Sequence, residues 1–423
     1  MLSQEDNERL TRVGPGTPMG NVFRRYWLPA LLSSELKDKD CAPVRVRLLG
    51  EDLVVFRDST GSVGLVDAYC AHRRAPLLLG RNEKGGLRCV YHGWKYDRTG
   101  RCIDMPTEPK ESTYKDRIQL KAYPTWEGGD MIWAYMGPQP APPPPDYELC
   151  RAPPTHRYVT RTVQDCNYLQ ALEGGLDSAH ATILHNMTIG DLSWLDDFER
   201  TTPKINVHAT DYGFEYSGIR KLRGHHWVRV YQYVMPATQI RGRIAPVRGE
   251  NAPPRVPLIN GHLWVPIDDV TVSVLNFSYA ADPNIPLDRE FALEADISYG
   301  RGPDDLLADL RLRRNWSNDF LIDREVQKTK TFTGIEGVNT QDVAVQEGMG
   351  PIVDRSQEHL GSTDRAIVAM RRLLLEAVRT VEAGGSPKGA DPSTYRAMRA
   401  VDHYADSESA IPELVARERV ARF

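Results

Sequence analysis

The decisive stretch is Cys70-Ala-His72, followed after sixteen intervening residues by Cys89-Val-Tyr-His92-Gly-Trp94-Lys-Tyr96-Asp97. Each pair joins one thiol to one imidazole. Each also ends a predicted strand, with Leu65-Val-Asp-Ala-Tyr69 running into the first and Gly86-Leu-Arg88 into the second. Two loop tips so spaced can meet and offer two sulfurs and two nitrogens. Zinc fingers usually keep Cys with Cys and His with His on separate elements. Mixed pairs suit a [2Fe-2S] cluster in which one iron takes two Cys and the other two His. Neutral imidazoles leave such a cluster less negative and raise its reduction potential. A structural zinc site on the same four residues is the plainer alternative.

Outward from this motif the chain is strand-rich. Val44-Arg-Val-Arg-Leu-Leu49 alternates, and Asp52 to Arg57 and Val63 to Ala68 are short apolar runs separated by polar turns. The pattern predicts a small antiparallel β domain. A proline run, Met136-Gly-Pro-Gln-Pro-Ala-Pro-Pro-Pro-Pro-Asp146, has few backbone donors and reads as a semi-rigid linker. The expected division is therefore a first domain over 1–150 and a second over 151–423. In the second, Ile205 to Tyr216, Val228 to Met235 and His262 to Tyr279 read as strands, and Met349 to Glu382 as a long helix. Gly384-Gly-Ser-Pro387 ends that helix, and the last 35 or so residues read as a charged peripheral tail. The expected class is α+β: the small antiparallel β domain, then an α+β domain with an antiparallel sheet and covering helices.

The length of 423 residues favours two domains. With 53 Lys+Arg against 57 Asp+Glu, the chain lacks the charge footprint of a nucleic-acid binder. No apolar run reaches the roughly 18–20 residues that cross a bilayer, and the opening residues are too charged for a signal-peptide core. A cytoplasmic location, with no membrane or nucleic-acid partner, is expected. The six cysteines (41, 70, 89, 102, 150, 166) are too sparse for a disulfide scaffold, and only Cys70 and Cys89 have a histidine close by.

A second motif, Asp177-Ser-Ala-His180-Ala-Thr-Ile-Leu-His185, follows a helix-like stretch that starts at Asn167. A non-haem Fe(II) oxygenase needs two His and one carboxylate on one face of the metal, with positions left open. Residues five apart on a regular helix lie about 140° apart, at roughly 100° per residue. His180 and His185 therefore converge only if the helix ends or bulges between them. Asp319, Asp323, Asp342 and Asp354 are all available as a third ligand, and spacing does not choose among them.

Together the two motifs resemble the Rieske aromatic-ring-hydroxylating oxygenases. Further likeness from Gly14-Pro-Gly-Thr-Pro-Met-Gly20 and Arg24-Arg-Tyr-Trp27 to the region 318–361 points to the phthalate 4,5-dioxygenase-like branch. That resemblance implies a Rieske [2Fe-2S] cluster on Cys70, His72, Cys89 and His92. It implies mononuclear iron on His180, His185 and Asp342, the last from the Gln341-Asp342 segment. Asp177 becomes a bridging carboxylate between the iron histidine and a cluster histidine of the neighbouring subunit. The implied activity is insertion of oxygen from O2 into a carboxylated aromatic compound, with NAD(P)H electrons arriving through a flavin and iron–sulfur reductase. The implied assembly is a homo-oligomer, a trimer or stacked trimers.

An aromatic acid calls for an arginine in the pocket, and Arg220, Arg229, Arg241 and Arg243 are candidates. O-demethylation of a methoxylated aromatic acid is the close alternative to ring hydroxylation. A Rieske electron carrier, from a different class, would need only the first domain.

Overall fold

The computed structural model describes residues 2–186, 202–222, 224–243 and 258–423. Alternating residues build the first half as expected. In Val44–Leu48, Val46 and Leu48 turn inward while Arg45 and Arg47 face water. The chain then reverses through Leu49 and Gly50, both with positive φ, into Glu51–Arg57. Val63–Asp67 and Ala122–Tyr123 complete that antiparallel sheet. A second four-stranded sheet runs Arg81–Glu83, Gly86–Arg88, Lys95–Tyr96, Cys102–Asp104. A three-stranded sheet is centred on the fully buried Met131–Tyr135.

The second half is one antiparallel sheet. Its order is Arg157–Gln164, Val272–Ala280, Leu258–Pro266, Thr238–Arg243, His225–Val234, Gly213–Leu222, Lys204–Ala209. Thr238–Arg243 pairs with only the last four residues of His225–Val234. Val401–Ala405 takes over alongside residues 226–230.

The helix Tyr168–Leu176 lies close on this sheet, with two glycines at the contacts. A Cβ on Gly175 would sit 2.2 Å from the Trp264 ring, and one on Gly174 would sit 2.2 Å from Gln346 on the helix Val338–Gly348. The N-terminal helices Gln4–Thr11 and Pro18–Phe23 pack on the helix Arg365–Glu382, and one continuous apolar core joins them to the large sheet.

The structure corrects four boundaries. Ile205 to Tyr216 is two strands joined by a turn at 210–212, closed by the Thr210 N–H donating to the Gly213 carbonyl at 3.1 Å. His262 to Tyr279 is likewise two strands, broken by the turn at Asp268. The long helix covers only Arg365–Glu382; the region before it is punctuated by Gly350, Pro351 and Gly361. The region after 387 is not peripheral, since Val401–Ala405 enters the sheet and Met398, Ala400 and Val401 are buried. No described helix is long and apolar enough to cross a membrane.

Candidate metal centres

The two cluster loops are near copies of each other. In the first, Arg74 N–H donates to the Cys70 carbonyl and Cys70 N–H to the Ala75 carbonyl, both at 2.9 Å. In the second, Gly93 N–H donates to the Cys89 carbonyl at 3.0 Å and Cys89 N–H to the Trp94 carbonyl at 2.8 Å. The fifth residue of each loop is left-handed, Arg74 at φ +57 and Gly93 at φ +76. Both thiols are buried at the loop bases, 1% and 2% exposed. Both imidazoles stand further out, with ring centroids 4.4 Å apart. Burial, opposed by the Tyr96 hydroxyl 3.1 Å from its sulfur, leaves the Cys70 thiol above its ordinary pKa. His72 stacks on Trp94, whose buried Nε1–H has no partner among the described residues. Two inner sulfurs, two outer nitrogens and mirrored backbones fit the donor set of a [2Fe-2S] cluster that two Cys and two His would hold.

The second centre resolves the helix geometry. Tyr168–Leu176 stops before Asp177, and a separate short helix, His180–Ile183, begins at the first histidine. Asp177 Oδ1 accepts from the N–H groups of Ala179 (2.7 Å) and His180 (3.4 Å), which sets the turn between the helices. His185 lies just past the short helix, so the two rings face at 5.1 Å instead of diverging. Asp342, on Val338–Gly348, completes the group. Its Oδ1 lies 3.4 Å from His180 Nε2 and 3.2 Å from His185 Nε2. One ligand atom from each of the three lies within 4.8 Å of the others. Two imidazole nitrogens and one carboxylate oxygen are the donor set of a facial Fe(II) site.

Outer partners orient each ligand. His180 Nδ1 faces Asp177 Oδ2 at 3.4 Å, and His185 Nδ1 donates to Gln341 Oε1 at 2.8 Å, so both rings turn Nε2 toward Asp342. Burial opposes the His180 imidazolium, but hydrogen bonds to Asp177 and Asp342 outweigh it and push the group up to about 10. Burial alone would raise Asp342; hydrogen bonds from His180 and His185 hold it far below the usual carboxylate range. The other aspartates are engaged elsewhere. Asp323 caps Arg324–Thr329, Asp354 caps the turn at Ser356, and Asp319 sits in a left-handed run outside the group.

The triad forms part of the wall of a cavity of about 280 Å³. Arg229, Arg241 and Arg243 line it, whereas Arg220 does not. Arg220 is buried behind the turn, where its guanidinium donates to the Ser178 carbonyl. Arg241 Nε donates to Asn260 Oδ1 and Nη2 to His262 Nε2, both at 3.2 Å and both neutral acceptors. His262 in turn donates from Nδ1 to Asn276 Oδ1 at 2.8 Å. Burial, Arg241 and Arg301 hold that imidazole far below its usual pKa, which keeps it neutral. Sequence reasoning missed Gln341, His262 and Arg301. Gln341 was adjacent to the chosen ligand, and His262 shares a strand face with Asn260; Arg301 had no pattern to reveal it.

A paired Cys/His loop site and a two-histidine, one-carboxylate site beside a cavity define an iron-dependent oxygenase with its own electron-entry centre. Neither a zinc module nor an electron carrier accounts for the convergence of His180, His185 and Asp342. Residues 26–124 match the Rieske [2Fe-2S] domain, and residues 134–404 match the LigXa C-terminal domain like family. The chain is 38% identical to the phthalate 4,5-dioxygenase oxygenase subunit of Pseudomonas putida, over 92% of this chain and 89% of that one. It is 34% identical to the 5,5'-dehydrodivanillate O-demethylase oxygenase subunit of Sphingobium sp., over 94% and 86%. The solved structure of Pseudomonas putida CBB5 NdmA superposes with a TM-score of 0.61 at 18% identity, over 93% of this chain and all of that one. The chain belongs to the Rieske non-haem iron oxygenases, and is the oxygenase subunit of a multicomponent oxidoreductase that uses a Rieske cluster, mononuclear iron and O2. Such subunits work with a separate reductase or ferredoxin.

Proposed function

We propose that this oxygenase acts on a carboxylated aromatic compound, that Arg241 anchors its carboxylate, and that His180, His185 and Asp342 hold the iron. Cys70, His72, Cys89 and His92 hold the cluster. The observation that carries the substrate reading is Arg241, a half-buried guanidinium in the triad's own cavity, whose partners among the described residues are neutral. A desolvated guanidinium of this kind favours an incoming carboxylate. When bound, the cluster supplies single electrons, and the iron supplies open positions where O2 and substrate meet.

The chain's own groups do the positioning. The neutral His262, fixed by Asn276, holds the Arg241 fork in place. Gln341 and Asp177 keep each ligand histidine protonated on Nδ1, with Nε2 turned to the metal position. We assign Asp177 as the link to a cluster histidine of a neighbouring subunit. Supporting this, His72 is exposed, and Leu78, Leu79, Val90 and Tyr91 around the cluster loops are 40–64% exposed. A different apolar patch, Trp316, Val345 and Met349, lies on and beside the outer face of the Asp342 helix. Two unlike patches associate head to tail and close into a ring, as in a trimer. The electron donor is a flavin and iron–sulfur reductase. Ring hydroxylation is the leading chemistry; the 34% identical O-demethylase supports the demethylation of a methoxylated acid held by the same anchor.

Metal and sulfide analysis with EPR tests the assignment. About three irons and two sulfides per chain are expected, with a Rieske-type signal after reduction and a trimer mass by light scattering. Asp342→Ala should fall to about two irons with that signal intact. Full iron content in Asp342→Ala, or a monomer mass, would refute the corresponding part. Arg241→Gln should weaken benzoate binding about 10- to 100-fold without lowering metal content. An unchanged Kd by calorimetry would remove Arg241 as the anchor.

A further inference from the structure

Four guanidiniums line the cavity: Arg229, Arg241, Arg243 and Arg301. Among the described residues, Arg301 and Arg229 each receive a carboxylate from behind the wall. Asp296 Oδ1 lies 2.8 Å from Arg301 Nη2, and Asp402 Oδ2 lies 3.0 Å from Arg229 Nε. Asp296 is close in sequence to Arg301. Asp402 comes from far along the chain, on the strand Val401–Ala405, and reaches Arg229 only because that strand fills the sheet edge beyond Thr238–Arg243.

The local packing is built around this arrival. A Cβ on Gly242 would sit 2.6 Å from the Asp402 nitrogen and 2.8 Å from the Val401 carbonyl carbon. The residue between Arg241 and Arg243 must therefore be glycine for the strand to seat. The Asp402 side chain is 3% exposed and also accepts from Trp227 Nε1 at 2.6 Å. The Trp227 ring packs against the Arg229 guanidinium at 4.5 Å. Burial opposes the Arg229 charge, and the adjacent Asp402 outweighs it, so the guanidinium stays charged with a carboxylate at its back.

Arg241 is directly across from Tyr231 in the ladder, and Arg229 is two residues from Tyr231 on the same strand. The two arginines are thus diagonal neighbours on one sheet face, about 7–8 Å apart along the backbone. Both line the same cavity, an arrangement that two carboxylates on a single aromatic ring would engage together.

We propose that Asp402 is a specificity-determining residue: by neutralising Arg229 it tunes the cavity toward aromatic acids with one carboxylate and against those with two. This rests on the reading of Arg241 as the carboxylate anchor. Removing the Asp402 charge leaves Arg229 uncompensated beside Arg241, and a dicarboxylate gains a charged hydrogen bond that a monocarboxylate lacks.

The test is calorimetric titration of benzoate and of phthalate into metal-loaded wild type, Asp402→Asn and the double variant Arg229→Gln/Asp402→Asn. The ratio of phthalate to benzoate affinity is expected to rise about tenfold or more in Asp402→Asn. It should return near the wild-type ratio in the double variant, which removes both charges; general loosening of the strand would not reverse in this way. A ratio in Asp402→Asn within about twofold of wild type, with both acids still bound, overturns the proposal. If Asp402→Asn does not fold, Arg229→Gln alone leaves the negative charge uncompensated and should lower the ratio; a rise overturns the proposal. Failure of either acid to bind any form, wild type included, overturns it together with the aromatic-acid reading.

Discussion

Replacing Asp177 with asparagine is expected to slow oxygenation about 100-fold while both metal centres stay loaded. The two oxygens of Asp177 have separate tasks. Oδ1 accepts the backbone N–H groups that shape the turn into His180–Ile183, and an asparagine oxygen can do the same. Oδ2 faces His180 Nδ1 at 3.4 Å, and there asparagine would put an amide N–H against an imidazole N–H. Two donors in opposition break the hydrogen bond on the outer side of the ring, and the negative charge facing it is lost. The turn should survive while the electronic link fails. Single-turnover kinetics on pre-reduced, metal-loaded protein separates the two: cluster reoxidation with substrate and O2 should slow, with iron and sulfide content unchanged. A wild-type rate would end the bridging assignment.

Arg355→Ala should cost about 3–5 kcal/mol of stability. Arg355 is 0% exposed and donates from Nε and Nη2 to Glu173 on the helix Tyr168–Leu176, at 2.9–3.1 Å. Its Nη1 donates to Asn7 Oδ1 at 3.0 Å, which ties in the N-terminal helix. Arg371, on Arg365–Glu382, reaches the same carboxylate at 2.6 Å and Glu358 beyond it. Truncating Arg355 leaves Glu173 buried with one cation instead of two, and opens a void where a large side chain was packed. Denaturant titration followed by far-UV circular dichroism reads the loss; a change under about 1 kcal/mol would show that the Arg371 pair alone supports the helix.

The parts legible in the sequence are those written in short-range pattern. Alternation in Val44–Leu48 exposes a strand because one face is wet, and the Cys/His loops are legible because each donor pair lies within four residues. The helix Arg365–Glu382 shows its apolar stripe, but the stripe does not mark its start. The structured stretch before it is made of side-chain caps such as Asp354 on Ser356, which carry no periodicity. The strand Val401–Ala405 was hidden because its pairing partner lies more than 160 residues earlier and decides which of its residues are buried. The same limit applied at the site. Four aspartates were equal by spacing, and only the fold brings Asp342 to the histidines. Arg220 and Arg241 read alike on strands of the same sheet, yet the former clamps Ser178 while the latter lines the cavity.

The two metal-ready groups differ sharply in how much chain they enclose. The cluster donors run from Cys70 to His92, whereas the iron donors run from His180 to Asp342. The second loop is about seven times longer, close to three doublings, and each doubling adds about 0.6 kcal/mol of closure entropy, so bringing its ends together costs about 1.7 kcal/mol more. That handicap falls on a set whose carboxylate arrives on a different helix from its histidines. The twin glycines at 174 and 175 address it, because they let the helix leading to the histidines lie flush between the sheet and the Asp342 helix. Close contact there removes conformational freedom from both helices before any donor meets its partner. The iron donors are thus brought together by the tight fit of two helices, and a methyl group added at Gly175 would press on the Trp264 ring and push the helix that leads to the histidines away from the sheet.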